Sequence, residues 1–171
     1  ETAAHKITPK NLSEYLGTPK YDEDIADKKD AVGEAKGLAW TSVGGTTLDI
    51  EACTMAGKGA LTITGQLGDV MKESASVALG YIRANADKYG IEAETFEKKD
   101  IQLHVPEGAV PKDGPSAGIT ITLAMISAYT GRKIAKDTAM TGEITLHGKV
   151  LPIGGLKEKI LAAKLSGIKK V

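Results

Sequence analysis

The chain has 171 residues, 42% of them hydrophobic and 26% charged, and its 22 Lys and Arg balance 22 Asp and Glu. A chain of that length buries about two-thirds of its unfolded surface, so a core can form without disulfides or a structural metal. The apolar content and charge balance argue against intrinsic disorder and a polyelectrolyte partner. The single cysteine, Cys53, argues against a disulfide framework or a thiolate zinc cluster and suggests a reducing compartment.

No apolar run approaches the ~20 residues that span a bilayer, and Glu1–Lys6 has no hydrophobic signal core, so a soluble domain is expected. Starting at Glu1 rather than Met, the chain has the look of a piece of something longer. Asn11-Leu12-Ser13-Glu14-Tyr15-Leu16-Gly17 before Thr18-Pro19 reads as a helix end stopped by Gly and Pro. Residues 1–20 are therefore expected to be the tail of a preceding module. The stretch to Lys36, rich in Asp22, Glu23, Asp24, Asp27, Lys28, Lys29 and Asp30, reads as a solvated linker over 21–36.

From Gly37 onward, β-prone runs alternate with glycine. Leu38–Thr41 and Thr47–Ala52, with Gly44-Gly45 between them, predict an antiparallel hairpin or meander, and Ala60–Thr64 a further strand. After Gly68-Asp69, Val70, Met71, Ser74, Val77, Ala78, Tyr81 and Ile82 recur at three and four. This spacing predicts an amphipathic helix ending before Gly90, with Met71 and Tyr81 filling core. A strand over 101–105 is closed by Pro106, and the loop Pro106–Pro115 opens into an apolar helix from Ser116 to Tyr129, stopped by Gly131. A strand, the His147-Gly148 turn, a second strand, Gly154-Gly155 and a helix over 156–166 complete the chain. Strands and helices without regular βαβ alternation predict an α+β fold.

Ser116 follows a Gly-Pro turn at the start of a helix, where free amides carry partial positive charge and can receive an oxyanion. Small neighbours, Ala117 and Gly118, leave room for a substrate backbone; the alternative is a serine that only caps the helix, as many serines at helix starts do. A serine nucleophile needs a base. His104 at a strand end and His147 in a tight turn have no diagnostic spacing, and His104 could line the site without moving a proton. Lys159 is the better candidate: on a helix from Leu156 it shares a sector with Ala162, Ala163 and Ser166, beside Leu156 and Ile160, while Lys157 and Lys164 mark the wet side. Serving as a base near neutral pH requires its pKa to fall from ~10.4 to about 7–8, roughly 4 kcal/mol of disfavour for the ammonium, which burial can supply. A snorkelling lysine is the alternative. The Thr141 hydroxyl could orient the amine without adding charge, whereas Glu143, on the same face of a regular strand, could restore the high pKa.

Pro111-Lys112-Asp113-Gly114-Pro115-Ser116-Ala117-Gly118, Met140-Thr141-Gly142-Glu143 and Leu151–Lys159 closely resemble the proteolytic domain of the Lon family of ATP-dependent serine proteases. Gly37–Thr41, Gly65–Ser74 and His104–Gly108 extend the resemblance over almost the whole chain. It implies the Lon proteolytic-domain fold (ribosomal S5 domain 2-like) over 37–171, without the family's last strand and helix, and a Ser-Lys dyad falling on Ser116 and Lys159. It also implies that Thr141 helps hold the lysine, that Asp113 lies in a loop separating closed from open sites, and that the stretch around Ala39 and Trp40 faces an extended substrate, with Gly114 and Pro115 beside it.

By the same resemblance the substrates are unfolded, misfolded and short-lived regulatory proteins, and the full-length protein is a homo-hexamer using ATP and Mg2+. No phosphate-cradling Gly-x-x-x-x-Gly-Lys-Ser/Thr run occurs here, and Gly57-Lys58-Gly59 lacks its spacing, so neither cofactor nor metal is expected in this domain. Bacterial cytosol is the expected compartment, with the mitochondrial matrix second, and neither membrane nor nucleic acid is an expected partner. Two readings compete: another Ser-Lys hydrolase, and a non-proteolytic Lon-like assembly or DNA-binding domain of a recombination ATPase, which lacks the dyad.

Overall fold

The computed structural model describes residues 6–17 and 29–171. The short helix α1 (Leu12–Leu16) ends, as its sequence predicts, at Gly17, whose φ of +78° suits glycine. Residues 1–5 and 18–28, with the first half of the expected linker, lie outside the described residues.

The linker reading fails over its last residues. Ala31–Val32 forms β1 and Glu34–Thr41 forms β2, with Ala35 only 4% exposed. Charge misled there because β2 alternates: Ala35 and Gly37 face the core, while Lys36 turns the other way and pairs with Asp49 on the next strand at 2.6 Å. The hairpin holds: β2 pairs antiparallel with β3 (Gly44–Ala56), from Glu34 opposite Glu51 to Thr41 opposite Gly44, across a turn at Ser42-Val43.

Leu61–Thr64 (β4) does not continue a meander. The chain crosses over through α2 (Asp69–Ala84), α3 (Ala86–Tyr89) and α4 (Thr95–Lys98) to β5 (Lys99–His104), which inserts between β4 and β3, parallel to the former and antiparallel to the latter. A 3-10 turn (Pro115–Ala117) leads into α5 (Gly118–Thr130), followed by β6 (Lys133–Ile134), β7 (Ala139–Met140), β8 (Glu143–Ile144), β9 (Val150–Leu151) and α6 (Leu156–Leu165). The main sheet runs β4-β5-β3-β2-β7; β1 pairs with β6 and β8 with β9. This is the expected α+β class, with several short mixed sheets.

One face of the main sheet carries Ala35, Ile50, Ala52, Ile101 and Leu103 into a core closed by α2 and α5, through Met71, Ala75, Ala78, Ile82, Ile121, Ala124 and Met125. Tyr81 packs partly buried against it. The other face carries Leu38 into a small cluster with Ala139 and Ala163, so α6 lies across the β2–β3 hairpin. Gly45 makes that approach possible: a Cβ there would meet the Glu158 carbonyl oxygen at 2.1 Å. Among the described residues no helix is long and apolar enough to cross a membrane.

Candidate active site

Ser116 sits in the 3-10 turn rather than in the first turn of α5. Pro115 sets the entry to that turn, and Gly118 N–H donates back to the Pro115 carbonyl. The turn is stitched to the segment after β7: Gly142 N–H donates to the Ser116 carbonyl at 2.7 Å, and Ile119 N–H to the Gly142 carbonyl at 3.0 Å. A Cβ on Gly118 would lie 2.9 Å from the Ile144 amide nitrogen, so only glycine admits β8 so near.

Lys159 reaches this turn from α6. It is 1% exposed, on the sector that also buries Ala162 and Ala163. Leu156 and Ile160, expected beside it, instead face outward at 55% and 42% exposure, because α6 contacts the hairpin through its small residues. Lys159 Nζ lies 3.1 Å from Ser116 Oγ across a sequence separation of 43 residues, and 2.9 Å from Thr141 Oγ1. Burial pushes its pKa below the ordinary 10.5, since the desolvated site disfavours the ammonium.

The Thr141 hydroxyl donates to the Ser116 carbonyl at 3.3 Å. With its proton committed there, it accepts from Lys159, so a neutral amine spends an N–H on Thr141 and keeps its lone pair for the Ser116 hydroxyl. The orientation needs no charge.

Asp113 turns away from the amine. Its Oδ1 accepts from Met71 N–H in the first turn of α2 at 2.9 Å and from Gly114 N–H at 2.8 Å, and a Cβ on Gly68 would stand 2.2 Å from its carboxyl carbon. Gly68 N–H donates to the Lys112 carbonyl at 2.8 Å. The run Gly65–Ser74 thus holds the loop before the serine.

A cleft of about 300 Å³ opens onto Ser116 and Lys159, walled by Ala39, Trp40, Asp113, Gly114, Pro115, Glu143 and the Pro152-Ile153-Gly154 segment. The indole of Trp40 lies against Gly155, where a Cβ would meet the ring at 2.4 Å. His104 is the exception among the expected residues. It lies at the end of β5, where its Nδ1 is 2.8 Å from Thr64 Oγ1, and it is not among the cleft walls. Reasoning from sequence missed Gly142, Gly155 and the 152–154 wall. Their signal was present as the glycines of Met140–Glu143 and Leu151–Lys159, but which glycine meets which neighbour depends on the packing of α6.

In the Gly57-Lys58-Gly59 loop the Asp100 carboxylate accepts the Lys58 and Ala60 amides at 2.7 and 2.8 Å. Those hydrogen bonds hold Asp100 below the usual carboxylate range. Among the described residues no group of three His, Cys, Asp or Glu side chains could hold a metal ion.

The family model for the Lon protease (S16) C-terminal proteolytic domain matches residues 6–171. Lon protease of Lachnoclostridium phytofermentans is 63% identical over 166 residues, 97% of this chain and 20% of that protein. Lon protease 2 of Desulfotalea psychrophila is 60% identical over 98% of this chain and 22% of its own length, and Lon protease of Rhizobium meliloti 56% over 100% and 21%. The chain spans about one fifth of the length of these relatives.

Proposed function

The chain belongs to the Lon protease (S16) C-terminal proteolytic domain family, and from that premise we propose that it hydrolyses peptide bonds with Ser116 as nucleophile and Lys159 as general base. The observation that carries the reading is the 3.1 Å separation of Lys159 Nζ from Ser116 Oγ inside a site that leaves the lysine 1% exposed. As Ser116 Oγ attacks the substrate carbonyl, its proton passes to Lys159 Nζ. Backbone amides around the 3-10 turn receive the developing oxyanion. Lys159 then gives the proton to the departing amine, and the neutral amine it becomes draws a proton from the water that releases the acyl group.

Substrate enters as an extended strand. On its outer edge β2 pairs with β7 only at Lys36 and Gly37, so the edge from Leu38 to Thr41 continues past β7 into the cleft. Main-chain pairing there accepts many sequences, which suits a protease acting on unfolded, misfolded and short-lived regulatory proteins. In the full-length protein, ATP and Mg2+ act outside this domain and the working assembly is a homo-hexamer in the bacterial cytosol.

The test is cleavage of an unfolded protein and of a short peptide by the wild type, Ser116→Ala and Lys159→Ala. Loss of about a thousandfold or more is expected in both variants. Equal rates in all three would overturn the assignment, and salt-dependent DNA binding without peptidase activity would favour the non-proteolytic reading.

A further inference from the structure

Ionisable groups around the cleft are unevenly distributed. Its wall carries two carboxylates, Asp113 and Glu143, and its one lysine is the buried Lys159, which works uncharged. Asp113 is occupied by the amides of Met71 and Gly114. Glu143 differs: it is half-buried, and among the described residues no hydrogen bond or ion pair engages its carboxylate. Nor does it pair with Lys159, whose amine meets the hydroxyls of Ser116 and Thr141.

The backbone explains where Glu143 is aimed. In β8 its neighbour Ile144 turns into the core against Gly118, which leaves Glu143 on the side facing the cleft. A half-desolvated carboxylate without a partner attracts a cationic group brought beside it and repels an anionic one more strongly than a solvated carboxylate would.

We propose that Glu143 is a specificity-determining residue that selects lysine or arginine, and rejects aspartate and glutamate, at a substrate position flanking the scissile bond. The inference rests on the peptidase reading above and adds to it a charge preference set by one side chain. Backbone pairing along β2 leaves side-chain choice open, and Glu143 supplies part of that choice.

The test uses matched internally quenched peptides that differ only in carrying Lys, Gln or Glu, placed in turn at each of the two positions on either side of the cleaved bond. Within each enzyme variant the readout is the Lys-to-Glu ratio of kcat/KM, which cancels any effect of the substitution on overall rate. The wild type is expected to favour Lys over Glu by about tenfold at one position, and less at high salt. Glu143→Gln should bring that ratio near one, Glu143→Lys should invert it, and Glu143→Asp should keep its direction. A wild-type ratio near one at every position, or a ratio that Glu143→Gln leaves intact, would overturn the proposal. So would a shift in the pH profile of every peptide alike in Glu143→Gln, which would place the residue in proton transfer. Ser116→Ala, run on the Gln peptide, separates the two readings: undiminished cleavage would sink the peptidase assignment itself, whereas loss of cleavage with an unaltered charge ratio would sink only the role of Glu143.

Discussion

Gly45 of β3 lies directly beneath the carbonyl of Glu158 in α6, so close that a methyl group on Gly45 would stand 2.1 Å from that oxygen and 3.1 Å from the Ala162 Cβ. The helix that carries Lys159 is thereby seated on backbone, one residue from the amine. Gly45→Ala should push α6 outward, costing about 1–3 kcal/mol of stability as overpacking does. Thermal unfolding would show the loss, and peptide cleavage should fall further than stability does because the amine leaves the hydroxyl. A variant with wild-type Tm and activity would contradict this packing.

Only an uncharged amine can take the Ser116 proton, so kcat/KM should rise with pH through the pKa of Lys159 and then level off. Because burial lowers that pKa, the rising limb belongs below 10.5, the ordinary value. A peptide assay across pH reads it directly. Lys159→Arg should be inactive at every pH, since a guanidinium does not give up its proton.

The same burial has a consequence for stability. Between its lowered pKa and 10.5, Lys159 binds fewer protons folded than unfolded, so this group makes the fold more stable as pH rises through that window and less stable below it. Lys159→Met should raise stability at the acid end of the window and flatten that segment of the curve. Denaturant unfolding at several pH values measures the slope.

Thr141 joins Ser116 and Lys159 through one hydroxyl. Thr141→Val keeps the shape and removes the bonds, with an expected loss of about tenfold in kcat. Thr141→Ser should restore most of it, and a valine variant with full kcat would remove Thr141 from the site.

Asp113 acts as a helix cap supplied from a distant loop. Asp113→Ala should cost about 1 kcal/mol, within the range of lost N-caps, and should loosen the turn that presents the serine. Chemical denaturation and peptide cleavage would both register the change, while Asp113→Asn, which keeps an acceptor, should lie between.

The 3.6-residue period put Lys159 on the side of Ala162 and Ala163, away from Lys157 and Lys164, but left a snorkelling lysine open; it was the resemblance of the motifs around Ser116 and Lys159 that paired the two. The β2–β3 hairpin was legible from its alternation and its glycines. Where the reading failed, the cause was tertiary. The strand start at Glu34 was hidden by charges that in fact line the outer sheet face, and β5 entered the sheet between β4 and β3, a choice that local propensity does not encode. Leu156 and Ile160 look like core residues on a helical wheel, yet the helix docks on Gly45 through the Glu158 backbone and the small Ala162 side chain. His104 resembled a site residue by type and strand position, but its register set it beside Thr64.

Lys159 arrives on the last helix described, and that helix is seated on a hairpin made more than a hundred residues earlier in the chain. Synthesis runs from the amino end, so Ser116 emerges from the ribosome well before Lys159. On the proposed peptidase reading, a nascent chain carries a harmless serine, and destructive capacity is withheld until α6 has been made and has docked.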